Sequence, residues 1–163
     1  MEWKESAPVR KLALLAACGF GLGLSPFASG TFGTLPGLVL ALGFPFRDVW
    51  IQAVFALFLA ALAVPLCGIA EAHFKKKDDG RIVADEYMTF PLCVIGLPIF
   101  AHPFLLVVAF ITHRVMDILK PFPAGRLQSL KGGLGIVADD FMSGLYALAL
   151  NHAIWALYRL YCS

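Results

Sequence analysis

Residues 49–70 form an apolar run of about six helical turns without a charged side chain, enough to cross a hydrocarbon layer of ~30 Å. Further apolar runs cover residues 35–46, 90–112 and 145–157 with its flanks. In 163 residues only 15% are charged and 60% are hydrophobic, with a mean hydropathy of +0.79, more than a water-soluble domain of this size needs to fill a core. The expected fold is therefore all-α: a multi-pass helical membrane bundle, with residues 1–163 forming one domain.

Net charge is only +2, so no broad basic surface suggests nucleic acid. The cations cluster instead: Lys4, Arg10 and Lys11; Lys75, Lys76, Lys77 and Arg81; Lys120, Arg126 and Lys131. Such clusters beside apolar spans favour the cytoplasmic side. If the 75–81 and 120–131 loops share that side, residues 85–95 and 103–119 become two arms of a hairpin turning at Gly96-Leu97-Pro98, with Pro103 in the first turn of the second arm. Residues 35–46 and 49–72 pair likewise through Pro45-Phe46-Arg47-Asp48, and a last helix runs from about 136 to 158. This topology gathers every polar motif at the cytoplasmic end. The Lys75-Lys76-Lys77-Asp78-Asp79-Gly80 run reads as a solvated loop.

Cys18, Cys67, Cys93 and Cys162 lie singly in apolar surroundings, which suits small buried hydrophobes rather than disulfides or zinc ligands. Leu15-Ala16-Ala17-Cys18 imitates a lipoprotein cleavage box, but the apolar stretch before it is shorter than a signal segment. His73, His102, His113 and His152 are isolated, and only His113 falls within a charged motif.

Five of the eleven acids, Asp85, Glu86, Asp117, Asp139 and Asp140, stand at edges of apolar segments, where a carboxylate needs a partner. Taken pair by pair they admit a structural reading: Asp139 and Asp140 as helix caps, Asp85 and Glu86 as first-turn acids favoured by the helix dipole. Together at one end of a bundle they would repel unless a cation were bound, and an all-oxygen ligand set suits Mg²⁺ or Mn²⁺.

In "THRVMDILKPFP", Arg114, Asp117 and Lys120 are three apart and share a helix face. They read either as an Arg114–Asp117 pair with Lys120 extended to the surface, or as a metal carboxylate flanked by two cations for phosphate oxygens. "SPFASGTFGTLPG" joins Ser25 to a glycine and hydroxyl cluster, Gly30, Thr31, Gly33 and Thr34. With Thr34 as N-cap and Pro36 in the first turn, that stretch becomes an anion-binding helix start; otherwise it is a close helix contact in a bundle.

Four motifs, "GLGLSPFASGTFGTLPG", "RIVADEYMTFPL", "HRVMDILKPFP" and "GGLGIVADDFMSG", occur in an order and spacing similar to the phosphatidylglycerophosphatase A family and span most of the chain. The resemblance implies a Mg²⁺-dependent phosphatase of the bacterial inner membrane that removes the terminal phosphate of phosphatidylglycerophosphate, a phospholipid substrate met in the bilayer, to yield phosphatidylglycerol. The family also has soluble all-helical members. This chain departs from the family pattern at Ser29, Thr89 and Gln128, where proline, glycine and an acid are usual; no acid of the proposed metal site is lost.

Other chemistries find less support. The DxDx[TV] arrangement of aspartyl-phosphate phosphatases, the histidine motifs of type 2 phosphatidic acid phosphatases, the CDP-alcohol phosphotransferase signature and a nucleotide-binding loop are all missing. A cation transporter would place its acids in mid-span, whereas these sit at helix ends beside Lys and Arg.

Overall fold

The computed structural model describes residues 8–43 and 48–162, and no strand occurs among them. The turn expected over residues 45–48, apart from Asp48, and the cation Lys4 lie outside the described residues, as does the Cys162 side chain. The helices are α1 (Pro8–Ala17), α2 (Ser29–Leu42), α3 (Val49–Phe74), α4 (Ala84–Thr89), α5 (Phe104–Leu119), α6 (Ala124–Leu127) and α7 (Gly133–Cys162), with 3-10 segments at Gly19–Leu24 and Phe90–Val94.

α3 begins where Asp48 accepts hydrogen bonds from the Trp50 and Ile51 amides at 2.8 and 3.2 Å, and ends on Lys75 in a left-handed turn. Its buried stripe is mostly small residues, Ala56, Ala60, Ala63, Cys67 and Ala70, spaced four and three apart, with Leu59 beside them. Small side chains let backbones approach closely. The approach is tightest at Gly133, where a Cβ would run into the Val64 carbonyl and come within 2.6 Å of the Gly68 amide nitrogen, so α7 starts directly against α3. The outer side of α3 exposes Val54, Leu57 and Phe58. α3 and α7 are the two helices long and apolar enough to cross a membrane among the described residues.

The centre of the bundle is the segment expected to form a membrane-crossing arm. Residues 85–95 instead make two short pieces, α4 and the following 3-10 segment, almost wholly buried among α2, α3 and α7. Pro91, which has no N–H to give, stands at the first turn of the 3-10 piece, where the helix changes pitch. The second arm forms as expected, with Pro103 at the N-cap of α5. The last helix starts at Gly133, three residues before the expected 136, so Asp139 and Asp140 lie in its second turn and are not its caps.

The bundle has two distinct poles. At one, the Gly96 amide donates to Gln52 Oε1 at 2.8 Å, His152 Nε2 lies 2.9 Å from the Ile95 carbonyl, and Trp155 stacks on Tyr158 with the His102 ring tilted against both. Between the poles, buried Asn151 donates to the Cys93 carbonyl at 2.9 Å and accepts from Thr112 Oγ1 at 2.8 Å, tying α7 to α5 and to the central segment. Satisfied in this way, a buried amide specifies one helix register; unpaired, it would cost about 1–3 kcal/mol. The other pole joins the ends of α3 and α5 to the starts of α2, α4 and α7, and there the polar motifs meet. Cys18, Cys67 and Cys93 are buried free thiols.

Candidate active site

α4, α5 and α7 each bring acids to this pole. Carboxylate oxygens of Asp117, Asp139 and Asp140 lie within 4.8 Å of one another. Asp85 is buried on α4, and its charge and that of Asp140 repel. Burial, reinforced by the neighbouring Glu86, pushes the Asp85 carboxyl well above the usual carboxylate range.

Two cations offset part of this charge. Arg114 Nη1 sits 3.1 Å from Glu86 Oε2 and 3.0 Å from Asp117 Oδ2, bridging α4 and α5. Lys120 pairs with Asp139 of α7. Burial is the largest single influence and opposes the lysine charge, but the Asp139 hydrogen bond and the charges of Asp139, Asp117 and Asp140 together outweigh it, and the ammonium is held above its ordinary value. Lys120 is not on the helix face that the spacing suggests: α5 ends at Leu119, and Lys120 follows in a left-handed turn, φ 45, ahead of Pro121.

The glycine stretch is partly brought in, and differently from expectation. α2 starts at Ser29 after Ala28 in a left-handed conformation, so Thr34 is no N-cap and Pro36 lies inside the helix. Thr34 is fully buried; its hydroxyl is 2.8 Å from the Gly30 carbonyl and 3.0 Å from Glu86 Oε2. Burial raises Glu86 to about 7 against the opposing pull of Arg114. Gly30 backs onto the Glu86–Arg114 pair and Gly33 onto Val83. Ser25 is spent locally, donating to the Phe27 carbonyl at 2.8 Å, and Thr31 is exposed in the first turn of α2.

Two of the three departures have hydrogen-bond partners. Thr89 Oγ1 donates to the Asp85 carbonyl at 2.7 Å, and Gln128 Nε2 donates to Asp78 Oδ2.

Sequence reasoning missed two acids. In the loop read as solvated, Asp79 is buried and grips Arg81 through Nε at 2.7 Å and Nη2 at 3.1 Å, while Asp78 faces Gln128. His113, the histidine within a charged motif, is fully buried, edge-on to Phe90, and neither ring nitrogen has a hydrogen-bond partner.

An all-oxygen donor set with unpaired buried atoms, Asp139 Oδ1, Asp140 Oδ2 and Asp85 Oδ1, fits a hard divalent cation. Among the described residues no histidine or cysteine joins the group.

Acids interleaved with a guanidinium and an ammonium, at one end of an all-helical bundle, are the groups that phosphate-ester chemistry with a divalent cation would use. The family model for phosphatidylglycerophosphatase A matches residues 15–155, and the chain belongs to that family. It is 34% identical to phosphatidylglycerophosphatase A of Haemophilus influenzae, over 94% of this chain and 99% of that one. It is 31% identical to a Bacteroides thetaiotaomicron protein provisionally named a phosphatidylinositol-3-phosphatase, over 85% and 91%. To phosphatidylglycerophosphatase A of Escherichia coli it is 29% identical, over 86% and 81%. No solved structure matches the chain significantly.

Proposed function

We propose that this chain hydrolyses the terminal phosphate monoester of phosphatidylglycerophosphate to give phosphatidylglycerol, with Mg²⁺ held by Asp117, Asp139 and Asp140 and with Asp85 facing the same centre. The observation that carries the reading is the Lys120–Asp139 pair inside the three-acid cluster, which sets an ammonium beside metal-type oxygens. Bound there, the ion would neutralise phosphate charge and acidify a water molecule. The chain's own cations do the rest: Lys120 and Arg114 hold phosphate oxygens as the P–O bond to the headgroup glycerol breaks. A water oxygen joins phosphorus, and the glycerol oxygen leaves with a proton. Glu86, engaged by Arg114 and Thr34, keeps the guanidinium aimed.

We also propose that α3 and α7 span a bacterial inner membrane in a multi-pass bundle, with the acidic pole on the cytoplasmic side. Their length and apolar outer faces support this, as do Lys75, Lys76, Lys77, Arg81, Arg126 and Lys131 gathered at that pole.

The test is phosphate release by detergent-purified protein from phosphatidylglycerophosphate, phosphatidic acid and phosphatidylinositol 3-phosphate, with and without Mg²⁺. Preference for the first, abolished by chelation, is the expected result. Equal rates on all three would overturn the substrate assignment, and unaltered rates in a chelator would overturn the metal. The phosphatidylinositol 3-phosphate arm follows from the name given to the Bacteroides relative.

A further inference from the structure

A groove of about 460 Å³ opens beside the acid cluster, between the turn after α3 and the short helix α6; Lys77, Asp78, Gly125, Gln128 and Ser129 line it. Its polar walls hold one another. Gln128 Nε2 donates to Asp78 Oδ2 at 2.5 Å, and Lys77 Nζ donates to the Ser129 carbonyl at 3.3 Å. Two relationships tie the groove to the reacting centre. Gly125 lies against Lys120: a Cβ there would meet the Lys120 carbonyl oxygen at 3.5 Å and its Cβ at 3.9 Å. Asp78 is close enough to Asp85 for their charges to repel.

We propose that this groove is the headgroup subsite, taking the phosphodiester-linked polyol that carries the reacting phosphate, with Lys77 on a diester oxygen and Asp78 and Gln128 on the polyol's free hydroxyl. The inference rests on the lipid phosphatase reading and deepens it. The three side chains match that ligand group by group. An ammonium has three donors, of which Lys77 spends one on Ser129, leaving others for an anionic diester. A carboxylate has about four acceptor positions, of which Gln128 occupies one, so Asp78 keeps room for a hydroxyl proton. The Gln128 amide holds Asp78 in place without adding a second negative charge to a groove that must admit a diester. Phosphatidic acid has no polyol between its phosphate and the diacylglycerol, so it would reach Lys120 and leave the groove empty. The groove is thus a means of choosing between phosphate monoesters that the acid cluster alone would treat alike.

The experiment measures competitive inhibition of phosphate release by two soluble probes, glycerophosphoglycerol and inorganic phosphate, in the parent protein and in Lys77→Ala, Asp78→Asn and Gln128→Ala. Glycerophosphoglycerol carries the diester and polyol without a monoester; inorganic phosphate reports on the reacting centre. The expected result is that each substitution weakens glycerophosphoglycerol ~10-fold, through loss of one charge-assisted hydrogen bond at Lys77 or Asp78 or of the amide that holds Asp78 in place, while inorganic phosphate shifts less than ~2-fold. Failure of glycerophosphoglycerol to inhibit the parent, equal shifts for both probes, or no shift for either would overturn the subsite. A parent protein that releases no phosphate from any lipid would overturn the phosphatase reading, and the subsite with it. Circular dichroism and melting of each variant distinguish loss of the groove from loss of the fold.

Discussion

Gly30, in the first turn of α2, has the Glu86–Arg114 ion pair where its side chain would be: a Cβ would overlap Glu86 Oε1 and come within 2.6 Å of Arg114 Nη2. Both obstructing groups are ends of flexible side chains, so Gly30→Ala is expected to displace the pair without unfolding the helix. Gly33, one turn on, meets the β-branched Val83, whose atoms have no such freedom. Gly30→Ala should therefore lower kcat/KM at least ~10-fold with melting nearly unchanged, whereas Gly33→Ala should cost about 1–3 kcal/mol of stability by overpacking. Kinetics and thermal melts of the two proteins side by side check this, and equal activity in Gly30→Ala and the parent would remove Arg114 from the mechanism.

The acids divide by what they touch. Asp117 and Asp139 each face a cation, while among the described residues Asp85 and Asp140 have none at ion-pair distance. Replacement by Asn should reduce turnover at least ~100-fold at all four positions if they share one metal centre. Stability should separate them. Asp85→Asn and Asp140→Asn remove repulsion and should melt at or above the parent temperature; Asp139→Asn takes the paired carboxylate from Lys120 and Asp117→Asn leaves Arg114 with Glu86 alone, and both should lose about 1–3 kcal/mol. Melting curves that rank the four variants in any other order would contradict this division.

The five acids were legible in the sequence because each interrupts the edge of an apolar run, where a charge has a physical cost that composition reveals. Their partners were less so. The contact of Thr34 with Glu86 joins positions 52 apart, and nothing local marks it. Pro36 misled about the start of α2: proline at the first turn is the rule in water, but a helix packed in an apolar bundle tolerates proline inside, as α3 also does at Pro65. Asp79 was obscured by its neighbours, since a run of three lysines and two aspartates reads as hydrated. What composition does not show is how the loop folds on itself: Arg81 lies over the Phe74 ring at 3.8 Å and donates to Asp79. Lys120 was legible as a cation near the site, but its left-handed turn, which separates it from the α5 face and delivers it to Asp139, was not.

The Asp79–Arg81 pair gives stability a pH dependence of definite sign. The Arg81 hydrogen bond holds the Asp79 carboxyl below the usual carboxylate range, although burial opposes it. A depressed folded-state value means that the contribution is complete above the unfolded pKa, near 3.9, and is lost as pH falls through the folded value. With Arg81 half-exposed, screening limits the pair to roughly 0.5–1 kcal/mol. Asp79→Asn should thus melt below the parent at pH 7, and the two should converge as the buffer is taken into acid below the folded value. A gap that persists undiminished in acid would show that Asp79 acts through packing and not through its charge.

Lys120 separates a phosphatase centre from a mere cation site. Its ammonium pairs with Asp139, so Lys120→Ala removes the proposed phosphate donor together with a competitor for the carboxylate oxygens. Metal affinity should hold or rise, because a positive charge next to the bound ion is gone. Turnover on the lipid monoester should fall, through KM if Lys120 grips the ground-state phosphate and through kcat if its contact forms in the transition state. Lys120→Arg should restore activity only in part, since a planar fork cannot reproduce a point charge delivered by the left-handed turn before Pro121. Titrating Mg²⁺ against phosphate release in the parent and both variants measures the two effects separately. Undiminished turnover in Lys120→Ala would leave phosphate binding to Arg114 alone, while a loss that excess Mg²⁺ fully restores would make the lysine a support for the metal carboxylates.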